Sequence, residues 1–366
     1  MMKSSPLHDQ HQALGATFET SGAWEIPSHY GHPDREYQTA CQSVGIADLS
    51  HRGSCVVTGE DRITWLHGII SQNILPLQPG QGNLSTFMNH KGKILSYFRV
   101  YVREEFLFLE DAGEVGDQTF QALKKFLLYG TKAKLQQGRN AWGILLVTGP
   151  QAMKVLQQAL EINVEALQDF QSLAFRFQQI QGFVAKTQET QSLDYELFVP
   201  TEALIGLWGH LVQIVRKMEG SLLGHRTLDT LRIEAGLPRL GPDVNEQIVP
   251  PEANMEGKTF SLSKGCYPGQ EVVARMDTYG AVKRRLVGLV IDSPDGTIPA
   301  IGSKIFSGTR EVGWVSSATF SPLLGKPIAL GFPLRDFTQP NTLLEIESAG
   351  VKISAIVSTL PFKNDS

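Results

Sequence analysis

The sequence predicts an α+β protein in which two similar α/β units lie side by side and a small all-β domain follows them. Two observations predict this fold class. Residues 56–70 read VVTGEDRITWLHGII and residues 146–160 read LVTGPQAMKVLQQAL, so a Val-Thr-Gly sequence recurs with an apolar helical pattern behind it. From about residue 285 onward, short β-branched runs alternate with Gly, Pro and Ser, which is typical of an all-β domain.

Each copy of the repeat predicts a strand, a glycine turn and a helix. A β-branched run leads into Gly59 in the first copy and into Gly149 in the second, and apolar residues then recur at helical spacing. An internal repeat of this kind indicates two related supersecondary units. Together they predict a pseudo-symmetric domain with a cleft where the units meet, which is a common place for a small-molecule site.

The segments around the repeat complete the two units. Residues 94–110 (ILSYFRVYVREEFLFLE) predict two strands joined by a charged hairpin, residues 194–200 (DYELFVP) predict another strand, and residues 201–215 predict a helix. The pattern after residue 285 predicts a small barrel or sandwich. The predicted divisions are a polar tail over residues 1–20, the α/β region over 21–284 and the β domain over 285–366.

The composition excludes several classes of function. The chain has 366 residues, a net charge of −4 and 42% hydrophobic residues, which is ordinary for a soluble protein and gives no broad positive field for nucleic acid. No apolar run approaches the roughly 18 residues of a membrane span, and the polar start lacks the apolar stretch of a signal peptide. We therefore expect a cytoplasmic protein that binds neither nucleic acid nor membrane.

The cysteines and histidines argue against a bound metal. Cys41, Cys55 and Cys266 lie far apart without a C-x-x-C pair, whereas zinc and iron–sulfur sites usually take about four ligands. His51 and His67 have no partners at ligand spacing, so we interpret both as structural. Isolated thiols also indicate a reducing compartment. The sequence thus predicts no metal site within one chain.

Residues 264–275 (KGCYPGQEVVAR) place a cysteine beside a predicted turn. Tyr267–Gln270 fits a type II turn, with Pro second and Gly third, and EVVAR then predicts a strand. Cys266 stands at the edge of this turn, where burial is hard to complete, and Gly265 lets the backbone bend. A nearby Lys264 ammonium would favour the thiolate. A half-buried structural cysteine is the alternative, but the surrounding Lys, Gly, Gln and Glu favour a reactive group.

Two further stretches contain candidate ligand contacts. In residues 231–253, Arg232 and Glu234 alternate with apolar residues, a pattern that also fits an exposed ion-pairing strand or helix end. Tyr195 and Glu196 lie within the apolar strand DYELFVP, where the acid faces either solvent or a cleft. Periodicity alone does not decide between these orientations.

The same stretches resemble known families. KGCYPGQE resembles the K-G-C-[YF]-x-G-Q-E signature of the YgfZ family, which are folate-binding proteins involved in iron–sulfur cluster maintenance. GIADLSHRG (45–53), DYELFVP (194–200) and LRIEAGLPRLGPD (231–243) resemble blocks of the wider family of the glycine-cleavage T-protein, an aminomethyltransferase. The resemblance covers roughly residues 24 to 360. It implies a folate-binding region of ferredoxin-like α/β units followed by a C-terminal β-barrel, in agreement with the periodicity.

The resemblance implies a set of site residues. Glu196 matches the folate-contacting acid of the family, since a carboxylate suits the two adjacent N–H donors at the pterin edge. Lys264 and Cys266 match the signature and are the expected catalytic residues. The other expected residues are those of the signature loop, Gly265, Tyr267, Gly269, Gln270, Glu271 and Arg275, and the further cofactor contacts Tyr195, Arg232 and Glu234.

Two departures from the T-protein pattern bear on the chemistry. Where that family carries Asp-Asp, one of which serves the one-carbon chemistry, this chain has Leu95 and Ser96. An arginine four residues before the Arg of the R-L-E-A-G block is replaced by Leu228. Glu271 and Asp277 are the candidate acids that could compensate.

The resemblance implies a tetrahydrofolate-binding protein that supports the assembly or repair of iron–sulfur enzymes, with a reactive cysteine in the KGCYPGQE loop. Its expected partners are a folate and iron–sulfur assembly proteins or client enzymes. The alternative is a folate-dependent aminomethyltransferase or demethylase, which the loss of the acid at Leu95 and Ser96 disfavours. A third possibility is a folate-binding scaffold that binds a protein partner without chemistry.

Overall fold

The computed structural model describes residues 2–111, 116–139, 141–279 and 282–363, without the side chains of residues 116 and 277–279. The N-terminal part contains β1 (Lys3–Ser4), α1 (His8–Ala13), β2 (Thr17–Ser21), β3 (Trp24–His29), α2 (Pro33–Gln42) and β4 (Gly45–Asp48). The first unit contains β5 (Ser54–Thr58), α3 (Arg62–Ile69), β6 (Gly82–Met88), β7 (Ile94–Val102), β8 (Phe106–Asp111), α4 (Gly116–Lys124) and β9 (Lys134–Gln137).

The rest of the chain forms the second unit and the β domain. The second unit contains β10 (Trp142–Thr148), α5 (Ala152–Leu160), β11 (Ser172–Phe177), β12 (Ile180–Thr187), β13 (Asp194–Pro200), α6 (Thr201–Lys217), β14 (Ser221–Leu222) and α7 (His225–Glu234). A connecting region contains a 3-10 helix (Pro250–Ala253) and α8 (Gln270–Tyr279). The β domain contains β15 (Val287–Asp292), β16 (Lys304–Ser307), β17 (Arg310–Ser321), β18 (Lys326–Gly331), a 3-10 helix (Arg335–Phe337), β19 (Leu343–Ser348) and β20 (Val351–Ser358).

The internal repeat predicted from the sequence is confirmed. β5 and α3 form the first strand–turn–helix, and β10 and α5 form the second. The glycines between strand and helix have φ +96° at Gly59 and +117° at Gly149, which favours glycine at both turns. A Cβ atom at Gly149 would lie 2.7 Å from the Ala40 carbonyl oxygen, so the turn is also closely packed.

The two units contribute two sheets that face each other. The first has the strand order β6-β7-β8-β5-β9, and the second has the order β11-β12-β13-β10-β4-β14. Buried aromatic side chains of both sheets share one core cluster, which includes Tyr101, Phe108, Phe183 and Phe198. Each sheet is covered on its other face by the helices of its own unit, as the alternation of apolar residues along β7 and β13 requires.

The β domain is a closed six-stranded barrel with the order β15-β18-β17-β16-β19-β20. The predicted α+β class with a C-terminal barrel is therefore confirmed, and closure of the sheet decides for the barrel over the sandwich. Helix α7 joins the barrel to the α/β region, because Arg232 Nη2 donates to Ser317 Oγ on β17 at 2.6 Å.

The N-terminal segment is folded, unlike the polar tail expected over residues 1–20. Leu7 and His11 are fully buried, and His11 Nε2 lies 2.9 Å from Asp48 Oδ2. β1 pairs parallel to β3, and β2 pairs antiparallel to it. The segment is ordered because its few apolar residues and one histidine pack onto the second sheet, which a count of polar residues does not reveal.

One local expectation is wrong and one open alternative is decided. Residues 271–275, expected as a strand, lie in helix α8, whereas residues 231–234 form the end of helix α7, with Arg232 and Glu234 buried rather than exposed. In α8 an acidic residue in the first turn and a Glu271–Arg275 ion pair one turn apart favour the helix over the two valines that suggested a strand. Among the described residues, no helix is long and apolar enough to cross a membrane.

Candidate functional site

A cleft lies at one end of the interface between the two sheets. Its cavity of about 60 Å³ is lined by Tyr97 and Arg99 of β7, by Glu189 of the β12–β13 loop and by residues of α7. A second cavity of about 550 Å³ adjoins it at the seam with the barrel and shares Tyr97 in its wall. The predicted cleft between the units is therefore present.

Five charged side chains form an ion network at the floor of this cleft. They are Arg52, Arg99, Glu110, Glu189 and Glu196. Arg52 Nη2 lies 2.6 Å from Glu189 Oε2, and Arg99 contacts both Glu110 and Glu189. Burial opposes the charged form of Glu189, but the two arginines outweigh this and lower its pKa to about 2. Two cations therefore hold three acids in a buried cluster.

Glu196 is the acid whose orientation the sequence left open, and it faces the cleft side of the sheet. It is fully buried, and its Oε1 lies 3.4 Å from both Arg52 and Arg99. Its Oε2 has no hydrogen-bond partner among the described residues. Burial raises the pKa of Glu196 well above its usual range, and Arg99 opposes this only in part. Glu196 does not line the cavity itself, whereas its two arginine partners do.

The other expected cofactor contacts lie in three different environments. Arg232 lines the cleft, and its Nη1 donates to Asp243 Oδ2 at 2.6 Å. Tyr195 points to the opposite face of β13 and packs in the core beneath α5 and α6. Glu234 accepts from Tyr37 at 2.7 Å and lines a separate cavity of about 220 Å³ that also contains Cys41. The structure thus brings Glu196 and Arg232 to the cleft and places Tyr195 and Glu234 elsewhere.

The signature loop forms the type II turn that its sequence predicts. The Gln270 N–H donates to the Tyr267 carbonyl at 3.2 Å, and Gly269 has φ +82°. A Cβ atom on Gly269 would lie 2.7 Å from the Asn89 carbonyl oxygen, so glycine is needed there for close packing as well. Gly265 has open space around it and no positive φ, so the structure shows no special demand for glycine at that position.

Lys264 is buried and caps a helix. Its Nζ donates to the carbonyl oxygens of His67, Ile70 (2.6 Å) and Gln72 (3.2 Å), at the C-terminal end of α3. An ammonium has three donors, so these carbonyls leave none for the sulfur of Cys266. Burial lowers the pKa of Lys264 to about 8. These contacts give Lys264 a structural role, and its effect on the Cys266 thiol stays a prediction.

Cys266 is exposed, as its position at the edge of the turn predicts. Cys55 is buried, and burial raises the pKa of both Cys55 and Cys41. In the rest of the loop, Tyr267 Oη donates to Ser261, Gln270 Nε2 donates to the Lys264 carbonyl, and Glu271 pairs with Arg275 on the surface of α8. The Asp277 side chain lies outside the described residues. Within the described part of the chain, no group of three or more His, Cys, Asp or Glu residues could hold a metal.

Comparison with known proteins identifies the family. The chain matches the GCVT N-terminal domain over residues 7–260 and the glycine cleavage T-protein C-terminal barrel domain over residues 284–363. It belongs to the glycine cleavage T-protein family. The narrower assignment to YgfZ, expected from the signature loop, remains a proposal.

Curated relatives of this T-protein family member are named aminomethyltransferases. The chain is 28% identical to one from Nostoc sp., covering 99% of this chain and 96% of that protein. It is 29% identical to one from Corynebacterium aurimucosum, covering 98% and 97%. The crystal structure of the glycine cleavage system aminomethyltransferase T from Bartonella henselae superposes with a TM-score of 0.88 at 24% identity, covering 99% of this chain and 98% of that one, which shows the shared fold.

The positions that depart from the T-protein pattern do not supply an acid to the cleft. Ser96 is buried on the opposite face of β7, where its Oγ accepts from Thr119 Oγ1 at 2.9 Å. Leu95 packs against the core of the first unit. The cleft face of β7 carries Tyr97 and Arg99 instead.

Four members of the ion network were missed by sequence reasoning, namely Arg52, Arg99, Glu110 and Glu189. A signal was present for two of them, because Arg99 lies inside the largely apolar strand β7 and Glu110 lies next to the end of the largely apolar strand β8, and both strands are buried on both faces. A charged residue in such a strand requires a partner. Arg52 and Glu189 lie in loops, where a charge carries no such signal.

Proposed function

We propose that this protein binds a reduced folate in the cleft and acts on the one-carbon groups that the folate carries. Members of the T-protein family use tetrahydrofolate, and the curated relatives cover nearly the whole chain. The observation that carries the proposal is Glu196, a fully buried carboxylate with one oxygen that lacks a hydrogen-bond partner. Buried polar groups are normally hydrogen-bonded, so this oxygen is suited to accept from a ligand.

The chemistry of the cleft fits a pterin, but its volume requires a rearrangement. A pterin edge presents adjacent N–H donors, which suit the carboxylate of Glu196. The cavity of about 60 Å³ is several times smaller than the roughly 300–1,000 Å³ that small-molecule sites usually enclose. We infer that folate binding displaces the side chains of Arg52 and Arg99, and the adjoining cavity of about 550 Å³ gives room for the rest of the ligand.

Calorimetry with tetrahydrofolate tests the binding site. We expect micromolar or tighter affinity, on the order of −8 kcal/mol, and a loss of about 1.5–3 kcal/mol in Glu196→Ala, because a charged hydrogen-bond acceptor is removed. Glu234→Ala is the matched control, since Glu234 is also a buried acid but lies outside the cleft. Equal affinities of the wild type and Glu196→Ala would remove Glu196 from the site.

Aminomethyl transfer is the activity that the relatives favour. Bound tetrahydrofolate would supply the nitrogen that receives the one-carbon group. We expect the reaction to be slow, because a positioned acid or base contributes about 10²–10⁴-fold to a rate and Leu95 and Ser96 provide none in the cleft. Methylene-tetrahydrofolate and ammonia are measured with an aminomethylated lipoyl carrier. Turnover equal to that of the Nostoc enzyme would overturn this expectation and establish aminomethyl transfer.

Support of iron–sulfur enzymes is the second candidate function, and the exposed Cys266 on a closely packed turn favours it. Its partners would be iron–sulfur assembly proteins or the client enzymes themselves. Several iron–sulfur enzymes are assayed in cells depleted of the protein and complemented with the wild type or with Cys266→Ala. We expect Cys266→Ala to bind folate but not to restore these activities. Full rescue would make Cys266 a structural residue.

A further inference from the structure

A set of polar side chains at the start of α7 remains unexplained by a pterin at Glu196. His225 and Asp229 lie one turn apart on α7 and line the cleft together with Leu228. Arg239 returns to the same wall from the loop that follows the helix. The sequence shows a departure at Leu228, and the structure now places an arginine in the same wall, 11 positions further along the chain.

The guanidinium of Arg239 is held by two residues of α7. Its Nη1 lies 2.7 Å from His225 Nε2 and 3.3 Å from Asp229 Oδ1. Because a guanidinium only donates, His225 Nε2 accepts, and the imidazole proton resides on Nδ1. That Nδ1 lies 2.6 Å from Glu19 Oε1 on β2, and the hydrogen bond from His225 lowers the pKa of Glu19. The folded N-terminal segment therefore fixes His225, and His225 fixes Arg239.

These contacts leave part of the guanidinium free. They engage Nη1, whereas Nε and Nη2 have no hydrogen-bond partner within the part of the chain that the structure describes. The Arg239 side chain is 24% exposed and lines the cleft, so a ligand in the cleft can reach it. Its neighbour Arg232 is different, because Asp229, Asp243, Ser317 and the Leu237 carbonyl engage all of its nitrogens. Arg239 is thus the cleft arginine of α7 and its loop with donors available to a ligand.

We propose that Arg239 binds a carboxylate of the ligand in this cleft through its free Nε and Nη2 edge. This inference rests on the proposed function, and for a folate the carboxylate is that of the glutamyl tail. A guanidinium edge matches a carboxylate with two parallel hydrogen bonds, whereas the pterin end presents donors that Arg239 cannot accept. Pro238, next to Arg239, lines both the cleft and the adjoining cavity, so the tail has a path between the two.

The test compares two ligands and three proteins. Tetrahydrofolate and a tetrahydropterin without the benzoyl-glutamate tail are titrated into the wild type, Arg239→Leu and Arg239→Lys. Calorimetry measures the affinity for tetrahydrofolate. Ligand-observed NMR at millimolar concentration measures the affinity for the tetrahydropterin, which binds more weakly. We expect Arg239→Leu to lower the affinity for tetrahydrofolate roughly 10- to 100-fold. The affinity for the tetrahydropterin should stay within about two-fold of the wild-type value. Arg239→Lys keeps the charge but not the planar fork, so it should recover only part of the loss.

Arg216→Leu is the matched control, because Arg216 is an exposed arginine at the end of α6, away from the cleft. Thermal unfolding checks that each variant is folded. If Arg239→Leu is not folded, Arg239→Lys is used for the comparison instead. Absence of tetrahydrofolate binding to the wild type would refute the proposed function itself. Binding that is unchanged in Arg239→Leu, or an equal loss for both ligands, would refute the role of Arg239 alone.

Discussion

The interface between the two sheets has an aromatic half and a charged half that are built from the same strands. Tyr101, Phe108 and Phe198 pack in the aromatic half. The charged half consists of Arg99, Glu110 and Glu196. Each of these lies two residues from one of the three aromatic residues, on the same face of the same strand. All six side chains are nearly or completely buried. We infer that equal burial serves two purposes. The aromatic half stabilises the fold, although Tyr101 Oη also lacks a partner, and the charged half, with Arg99 Nε and Glu196 Oε2 unpartnered among the described residues, is suited to a polar ligand.

The largest expected effect tests the aromatic half. Phe198 stacks on Phe183 with ring centroids 4.5 Å apart, and it also meets Phe108 edge to face at 5.0 Å. Phe198→Ala leaves a cavity between the sheets and should lower the free energy of unfolding by about 3–5 kcal/mol. Urea denaturation of the wild type and the variant measures this change in the free energy of unfolding. A loss below about 1 kcal/mol would show that the aromatic half does not hold the sheets together.

The pH dependence of stability tests the charged half. The pKa of Glu189 is lowered to about 2 in the folded protein, against about 4.3 in an unfolded chain. Its contribution to stability is therefore complete above about pH 4.3 and is lost as the pH falls towards 2. Glu189→Gln should reduce the slope of unfolding free energy against pH in this window. An unchanged slope would mean that the arginines do not hold Glu189 ionised.

Glu196→Gln should have a small effect on stability. The network holds three acids and two arginines, and burial raises the pKa of Glu196, so the charged form of Glu196 is already disfavoured and a neutral isostere should cost little. We expect the free energy of unfolding to change by no more than about 1 kcal/mol, near the effect of a typical hydrogen bond. Chemical denaturation of Glu196→Gln and of Phe198→Ala gives the two free energies of unfolding that are compared. A loss as large as that of Phe198→Ala would make Glu196 a structural residue.

The smallest effect on stability is expected outside the interface, at the signature loop. Cys266 is exposed, so Cys266→Ala should change the free energy of unfolding by less than about 0.5 kcal/mol. The same thiol should alkylate fastest of the three cysteines, since burial raises the pKa of Cys41 and Cys55. Mass spectrometry of iodoacetamide labelling against time gives the order. Cys41 is also exposed, so earlier labelling of Cys41 or Cys55 would contradict the expected order of thiol reactivity.

Most of the fold could be predicted because the local sequence pattern of each unit agrees with the secondary structure that it forms. The repeated strand, turn and helix follow from glycine positions and apolar spacing, and Gly59 and Gly149 adopt the positive φ angles that such turns need. The alternation along DYELFVP predicts two faces but not which one meets the other sheet. The orientation of Glu196 depends on that long-range packing, so the sequence left it open.

The strand expected at residues 271–275 was a local error, but two others came from contacts between distant segments. His11 is buried by its contact with Asp48, and Lys264 is held by the carbonyls at the end of α3, almost 200 positions earlier in the chain. Neither contact leaves a local pattern. The charged residues of the cleft had a partial signal, because Arg99 lies inside an apolar strand and Glu110 lies near the end of one, but the loop residues that pair with them had none.

The structure of the protein with bound tetrahydrofolate tests the central claim most directly. We predict that the pterin lies at the charged half of the interface, with an N–H donor about 2.7–3.2 Å from Glu196 Oε2 and with Arg52 and Arg99 displaced from their present positions. A folate bound elsewhere, or a pterin in the cleft with Glu196 still covered by both arginines, would contradict the account.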